Sequence, residues 1–276
     1  MKHIADFYNF VKFFISFYFT SKFNYKINKI SDEKTYRNMQ NKYLLKGELT
    51  HILKFENENN YSINRDWLNN LALHTQVTFK KSSINYEHGK ILYSALSNYL
   101  SINKTNKKNF IIFETGTAKG FSSICMSKAL NDMGVNGKIY TTDIIPHDEK
   151  RNWNVIDDLE GPKTRKQLLN NWTKETSNII FINGNINNII KNLNLDNINF
   201  AFIDSIHTET QIVKEFKYIS DRQAIGDIVM LDDIDIDCDK NNEPNFKYLL
   251  KNFRNYEFQF IESFYPRCYA IAKKIY

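Results

Sequence analysis

Several acidic side chains stand where a carboxylate can do chemistry. Glu114, Asp143, Asp204 and the neighbours Asp232 and Asp233 each follow a short apolar run, at residues 110–113, 138–142, 198–203 and 228–231. A carboxylate at the end of a buried strand can accept hydrogen bonds from ligand hydroxyl or ammonium groups. Two adjacent acids do something further. Their charges repel and burial disfavours both, so the pair calls for a cation. With Asp204 from a neighbouring strand they form an all-oxygen donor set, the kind that suits Mg²⁺ or Mn²⁺. The plain alternative is a solvated acidic turn, since Asp235, Asp237 and Asp239 follow.

Glu114 opens a stretch with two glycines, Gly116 and Gly120, separated by three residues. Glycine lets the backbone bend tightly and lets a ligand come close. A helical pattern follows, with Met126, Ala129, Leu130 and Met133 at i, i+3, i+4 and i+7. Ser122 or Ser123 is expected to cap this helix and Gly134 to end it. The free N–H groups at its start would face a ligand. The spacing is G-x-x-x-G, not the G-x-G-x-x-G of dinucleotide sites. It argues against a pyrophosphate cradle and for a nucleoside ligand with an amino-acid tail. An ordinary strand–turn–helix is the bland reading.

The later segments add to this set. Asp143 can take both ribose hydroxyls of a nucleoside, or simply form a turn. Gly184 and Asn185 end the run at 179–182, where Asn185 can donate to or accept from a base. Thr208 and Gln211 form a capping-box pattern, and Ile212, Val213, Phe216 and Ile219 make the buried face of the helix they start. His207 therefore stands just outside a helix N-terminus, whose positive end disfavours its protonation. A neutral imidazole there can act as general base, contact a metal or substrate, or serve a structural hydrogen bond.

These residues need a frame. From residue 109 onward apolar runs alternate with helical patterns, the mark of βαβ units and a mostly parallel sheet. Two late runs, 258–264 and 268–272, read as a closing antiparallel pair, giving seven strands. In an open parallel sheet ligands bind at the carboxyl ends of the strands. Every strand of the parallel set ends in a residue with chemical capacity, and that register is the main argument for a site.

The first 80 or so residues lie outside the alternating pattern. Residues 31–60 are polar and read as helix and linker. Residues 67–76 and 86–100 read as helices, the second with Ile91, Leu92, Ala95, Leu96, Tyr99 and Leu100 on one face. His74 and His88 read as polar surface or core groups rather than ligands. Phe7, Phe10, Val11, Phe14, Phe17 and Tyr18 share a helical face in the first 25 residues. That segment is too short in its apolar run to span a membrane and has no cleavage site of a signal peptide. It is expected to pack on the domain or on a second subunit, or to lie on a membrane surface with help from Lys22, Lys26 and Lys29. The polar insert at 146–172, with Arg151, Trp153 and Arg165, lies over the functional edge and reads as a lid, part of an acceptor site, or a surface excursion.

The chain of 276 residues, 42% hydrophobic, is long enough for a large core. Its net charge of +6 is spread out, with no basic patch interleaved with aromatics, so no nucleic-acid partner is expected. Cys125, Cys238 and Cys268 form no C-x-x-C pair, which suggests neither zinc nor a disulfide framework and fits a cytoplasmic protein, with peripheral contact at the inner membrane surface as the further option.

Taken in order, the glycine turn after Glu114, Asp143, the Phe-Ile-Asp segment at 202–204 with His207, and the Leu-Asp-Asp segment at 231–233 resemble the class I S-adenosylmethionine-dependent methyltransferases. Within them the pattern looks like the small-molecule O-methyltransferase branch that includes macrolide and sugar O-methyltransferases and cephalosporin-hydroxylase-like proteins. Ser205 stands where members often have Gly. The resemblance, over residues 86–273, implies a Rossmann-like doubly wound α/β domain at 81–276 behind a helical extension at 1–80 that serves as oligomer interface, substrate cap or membrane contact. It implies that Glu114, Gly116, Thr117, Gly120, Ser122, Asp143, Gly184, Asn185 and Asp204 hold S-adenosylmethionine. Asp204, Asp232 and Asp233 would bind Mg²⁺ or Mn²⁺, and His207 with Asp204 would be catalytic. The expected acceptor is a hydroxylated small molecule or sugar, and the expected assembly a homo-oligomer. The competing readings are a metal-free methyltransferase, including one for RNA, a nucleotide-cofactor oxidoreductase, and a non-catalytic binding protein of the same fold.

Overall fold

The computed structural model describes residues 31–80, 83–105, 109–206, 208–234, 247–263 and 268–276. The aromatic segment expected at 1–25 and the candidate base His207 lie outside the described residues, as do Asp235, Asp237 and Asp239. Among the described residues four helices come first: α1 (Glu33–Leu44), α2 (Thr50–Asn59), α3 (Arg65–Thr75) and α4 (His88–Asn103). The alternating part follows as β1 (Phe110–Thr115), α5 (Phe121–Met133), β2 (Gly137–Asp143), α6 (Arg165–Leu168), α7 (Thr173–Thr176), β3 (Ile179–Asn183), α8 (Ile186–Asn192) and β4 (Phe200–Ile203). It ends with α9 (Glu209–Ser220), β5 (Ile228–Ile234), α10 (Lys247–Asn252), β6 (Tyr256–Glu262) and β7 (Cys268–Lys274).

The strands form a seven-stranded sheet in the order β3-β2-β1-β4-β5-β7-β6. Strands β1 to β5 run parallel, and β7 runs antiparallel to both β5 and β6. The expected doubly wound α/β sheet with an antiparallel end is therefore what the chain builds. Strand order reverses between β1 and β4, and at such a switch the carboxyl ends leave a crevice for a ligand.

Uninterrupted apolar runs make sense for strands buried on both faces. Side chains alternate across the sheet: Ile112, Phe200, Phe202 and Met230 join the core under α4 and α5, whereas Phe113, Ala201, Ile203, Val229 and Leu231 join the core under α9. The leading helices share the first of these cores through Tyr43, Ile52, Phe55, Leu68 and Leu71. Charges inside that region are matched. Lys90 pairs with Glu87 at 3.0 Å and Glu48 at 3.2 Å, Arg65 pairs with Glu48 at 2.5 Å and with Glu56, and Tyr43 donates to Glu87. Removing either partner of such a pair would leave an uncompensated buried charge.

Two local expectations are corrected. Neither Ser122 nor Ser123 caps α5: the cap position is Gly120, at φ +91°, with no side-chain bond. Both serines lie inside the first turn and turn their hydroxyls elsewhere. Thr208 does precede α9, but it makes no side-chain cap bond, and the Gln211 side chain donates to Glu215 at 2.7 Å rather than reaching back to the helix start. A complete capping box forms elsewhere, between Thr164 and Gln167 at the start of α6. Gly134 ends α5 in the left-handed conformation, as expected. Among the described residues no helix is long and apolar enough to cross a membrane.

Candidate active site

The glycine turn is shaped by contacts that leave no freedom at Gly116. Its φ is +92°, and a Cβ there would fall 1.9 Å from the carbonyl oxygen of Asp204. The backbone of the turn hangs on β2, with the Gly116 N–H donating to Thr142 O at 3.0 Å and Thr117 N–H to the same oxygen at 3.2 Å. Ala118 sits in the left-handed region at φ +46°, a strained position for a residue with a Cβ. Its N–H donates to Asp143 Oδ2 at 2.5 Å, which holds it there.

Glu114 supports the turn from beneath. It is fully buried, and its carboxylate accepts from the hydroxyls of Ser122, Ser123 and Thr141. Burial raises its pKa and these bonds lower it, with the rise prevailing. Glu114 lines neither of the cavities described below, and its contact with β2 and α5 makes it a brace. Thr117 bonds Thr141 at 2.6 Å in the same knot.

Two cavities flank the turn. One, of about 300 Å³, is lined by Gly116, Ala118, Asp143, Gly184, Asn185 and Asp204 with an apolar rim of isoleucines. Ile144 and Ile206 on that rim are 55% and 48% exposed, an arrangement suited to the faces of a flat base. Asp143 lies at the end of β2. It accepts from Ala118 and, at 2.8 Å, from Ile145 N–H, and a carboxylate retains lone pairs for further donors. Asn185 caps α8, accepting from Asn187 N–H at 2.9 Å. Gly116, Asp143, Gly184, Asn185 and Asp204 thus line one cavity, whereas Thr117 and Ser122 line the other described next.

The second cavity, of about 220 Å³, is lined by Thr117, Ser122, Lys119, Lys80, His88, Asp204, Asp232 and Asp233, among others. Gly116, Ala118 and Asp204 belong to both cavities. Asp204 hydrogen-bonds Asp232, so two carboxyl groups share a proton there. Loss of water around Asp204, then Asp232, Asp233 and Glu114, push its carboxyl well above the usual range. Asp233 has φ +48°, and the pairing of β5 with β7 shifts register between Leu231 and Ile234. The strained residue and the irregular pairing turn this strand end toward the cavity. Among the described residues no three acid, histidine or cysteine side chains converge on one metal position. A larger groove of about 590 Å³ lies at the opposite ends of the strands, near Gly226 and Lys273, far from these acids.

Residues 113–234 match a family model described as a methyltransferase domain. Over these residues the chain is similar to a methyltransferase domain. Its fold is similar to that of the O-methyltransferase TomG from Streptomyces achromogenes, involved in tomaymycin synthesis and solved in complex with SAM. The identity is 15%, the match covers 78% of this chain and 92% of that one, and the TM-score is 0.55. Cofactor-bound Rv0187 from MTB is similar at 13% identity, with 77% and 90% covered and a TM-score of 0.52. The O-methyltransferase NovP is similar at 14% identity, with 68% and 81% covered and a TM-score of 0.50. No curated protein matches the chain.

Three parts of the candidate site were read otherwise, or not at all, from the sequence. Glu215, buried on α9, accepts from Thr115 Oγ1 and Ser205 Oγ, each at 2.5 Å. It fixes the loop after Asp204, which is how Ser205 is accommodated where a glycine was the expected type. Arg165 is almost fully buried. It donates from Nε to Ala118 O at 2.8 Å and lies 3.5 Å from Asp143. The insert at 146–172 is accordingly a buttress. Trp153 is buried beneath Arg165, its ring centroid 5.5 Å from the guanidinium, and neither Trp153 nor Arg151 lines either cavity. Asp157 of the insert pairs with His74 at 2.5 Å, so that histidine is structural, whereas His88 lies in the cavity wall against Phe121. The third part is Lys119, taken up below.

Proposed function

We propose that this protein transfers a methyl group from S-adenosylmethionine to a hydroxyl of a small molecule, with a divalent cation assisting. One observation carries the reading. Gly116, Ala118 and Asp204 form a wall common to an adenosyl-sized cleft and to an acid-lined cavity. A donor in the first and an acceptor in the second meet across that wall, the geometry that makes a two-substrate transfer effectively intramolecular.

Asp143 would hold the ribose hydroxyls, and Ile144, Ile206 and Asn185 the base. The backbone of Gly116 and Thr117 would hold the amino-acid tail, braced by Glu114. Bound S-adenosylmethionine would supply an electrophilic methyl, whose transfer to the acceptor oxygen would break its bond to sulfur and release S-adenosylhomocysteine. The donor set at Asp204, Asp232 and Asp233 fits a hard cation in charge and atom type, and Mg²⁺ is commonly held by one or two carboxylates with water completing its sphere. A cation there would lower the pKa of the acceptor hydroxyl. The released proton would go to His207 or to the Asp204–Asp232 pair. Residues 31–80 act as a substrate cap in this reading, since Thr75, Gln76, Thr78 and Lys80 line the acceptor cavity.

The test is calorimetric titration of the full chain with S-adenosylmethionine, in Mg²⁺ and in chelator. Micromolar binding, about −8 kcal/mol, with a separate heat for Mg²⁺ that Asp232→Ala removes, is the expected result. Cofactor binding without any metal heat would make the acid pair the proton acceptor of a metal-free transfer. No cofactor binding would sink the reading.

A further inference from the structure

One buried carboxylate reaches three of the chain segments that build the cleft of about 300 Å³, without lining it. Glu215 lies on α9 and is 0% exposed. Its Oε2 accepts from Thr115 Oγ1 at 2.5 Å, at the last residue of β1 and next to Gly116. Its Oε1 accepts from Ser205 Oγ at 2.5 Å, in the loop directly after Asp204. The same oxygen accepts from Gln211 Nε2 at 2.7 Å, and Gln211 Oε1 accepts in turn from Asn187 Nδ2 at 3.0 Å. Asn187 belongs to α8, and its backbone N–H donates to Asn185 Oδ1 at 2.9 Å. The network therefore ends beside Gly116, beside Asp204 and at Asn185, on three sides of the cleft.

The position calls for a carboxylate. It accepts three hydrogen bonds and donates none, whereas an amide would bring one oxygen and two N–H donors. Burying a charge is costly unless such bonds offset it. Packing alone does not ask for an acid, since Ile212, Phe216 and Ile219 fill the buried face of the same helix. The backbone adds to the clamp, with the Asp204 N–H donating to Thr115 O at 3.0 Å. Thr115 thus holds the end of β4 by its carbonyl and α9 by its hydroxyl. With the strand ends drawn together, the Asp204 carbonyl comes to lie against Gly116, where no Cβ intervenes.

We propose that Glu215 is a positioning residue for methyl transfer, holding the walls of the cleft at the separation S-adenosylmethionine requires and setting Asp204 at the shared wall. This rests on the methyl-transfer reading and deepens it. The cofactor then meets a preformed cleft, whose loops are ordered in advance by a side chain that lies outside the cleft wall.

The experiment is calorimetric titration of the full chain with S-adenosylhomocysteine, with melting curves recorded alongside. Glu215→Gln keeps the size of the side chain and loses acceptors. It should bind at least ten-fold more weakly, about 1.4 kcal/mol, at a temperature where it is fully folded. Thr115→Val and Asn187→Ala each remove one arm of the network, and neither residue lines the cleft. Each should lose at least three-fold of the affinity. Added to Glu215→Gln, Thr115→Val should cost less than two-fold more, because members of one network are not additive. The exposed Lys214→Gln on the same helix should bind as wild type does. If Glu215→Gln does not fold, Thr115→Val and Asn187→Ala decide the matter by themselves. Lower melting temperatures with unchanged affinity would overturn the proposal, since a carboxylate serving stability alone moves only the first readout. Full additivity of Glu215→Gln and Thr115→Val would overturn it as well. Failure of the wild type to bind S-adenosylhomocysteine would strike the methyl-transfer reading, and the positioning role with it.

Discussion

The space where a side chain on Gly116 would begin is already occupied by the carbonyl oxygen of Asp204. The separation would be 1.9 Å, so the turn after β1 and the end of β4 can meet only because position 116 has no Cβ. The two cavities beside the turn share this contact as their wall.

Gly116→Ala should therefore damage both cavities at once. Backbone strain alone costs about 1–3 kcal/mol, and the turn must also move away from Asp204. Urea denaturation should show at least that loss, and titration should show cofactor affinity down by more than ten-fold. A variant with unchanged cofactor affinity would mean that the turn does not contact the cofactor.

Asp204→Asn should abolish activity and yet stabilise the metal-free protein. The Asp204 carboxyl is held well above its usual range, so the folded chain binds the extra proton. Stability then falls as pH rises from the ordinary carboxylate range through the raised value. At pH 8 the wild type bears that cost and the amide does not. Each kcal/mol relieved raises Tm by about 2–4 °C. Mg²⁺ should raise the Tm of the wild type and leave that of the variant unmoved.

Lys119→Met tests the opposite sign. The lysine is charged to its ordinary 10.5 when unfolded and only to about 8 when folded. Between these values the unfolded chain holds the extra proton, so this group makes stability rise with pH across the window. At pH 7 the methionine variant should match or exceed the wild type, and its advantage should shrink as pH approaches 10. Denaturant midpoints at four or five pH values would read this; a constant difference would contradict it.

Arg165→Ala should loosen the insert and the glycine turn together, since one guanidinium serves Ala118, Ile145 and Asp143. Breaking a buried arrangement of this kind costs roughly 3 kcal/mol. Arg165→Lys should not restore it, because a single ammonium lacks the planar fork of donors. Limited proteolysis within 146–164 is the sensitive readout, and cleavage no faster than in wild type would count against the buttress.

The strands and their order of use were legible because sheets buried on both faces leave uninterrupted apolar runs, and because each run ends in a polar residue. The misread caps have a physical cause. Ser122 and Ser123 look like cap residues by type, but the buried Glu114 carboxylate outcompetes the helix N–H groups for their hydroxyls. Gln211 likewise finds Glu215 rather than its own helix end. Arg165 was legible only as part of the polar insert, and Lys119 was not singled out. Their roles depend on backbone carbonyls and on segments distant in sequence, and no periodicity reports such contacts.

The place of β7 has a consequence during synthesis. It lies between β5 and β6, and among the described strands β6 pairs with nothing else. While the ribosome is still making residues 268–274, β6 and the outer edge of β5 are exposed strand edges, open to pairing with other chains. The acid-bearing end of β5 is therefore among the last parts of the domain to close. A chaperone that shields these edges on the nascent chain would protect the part of the fold on which the chemistry depends.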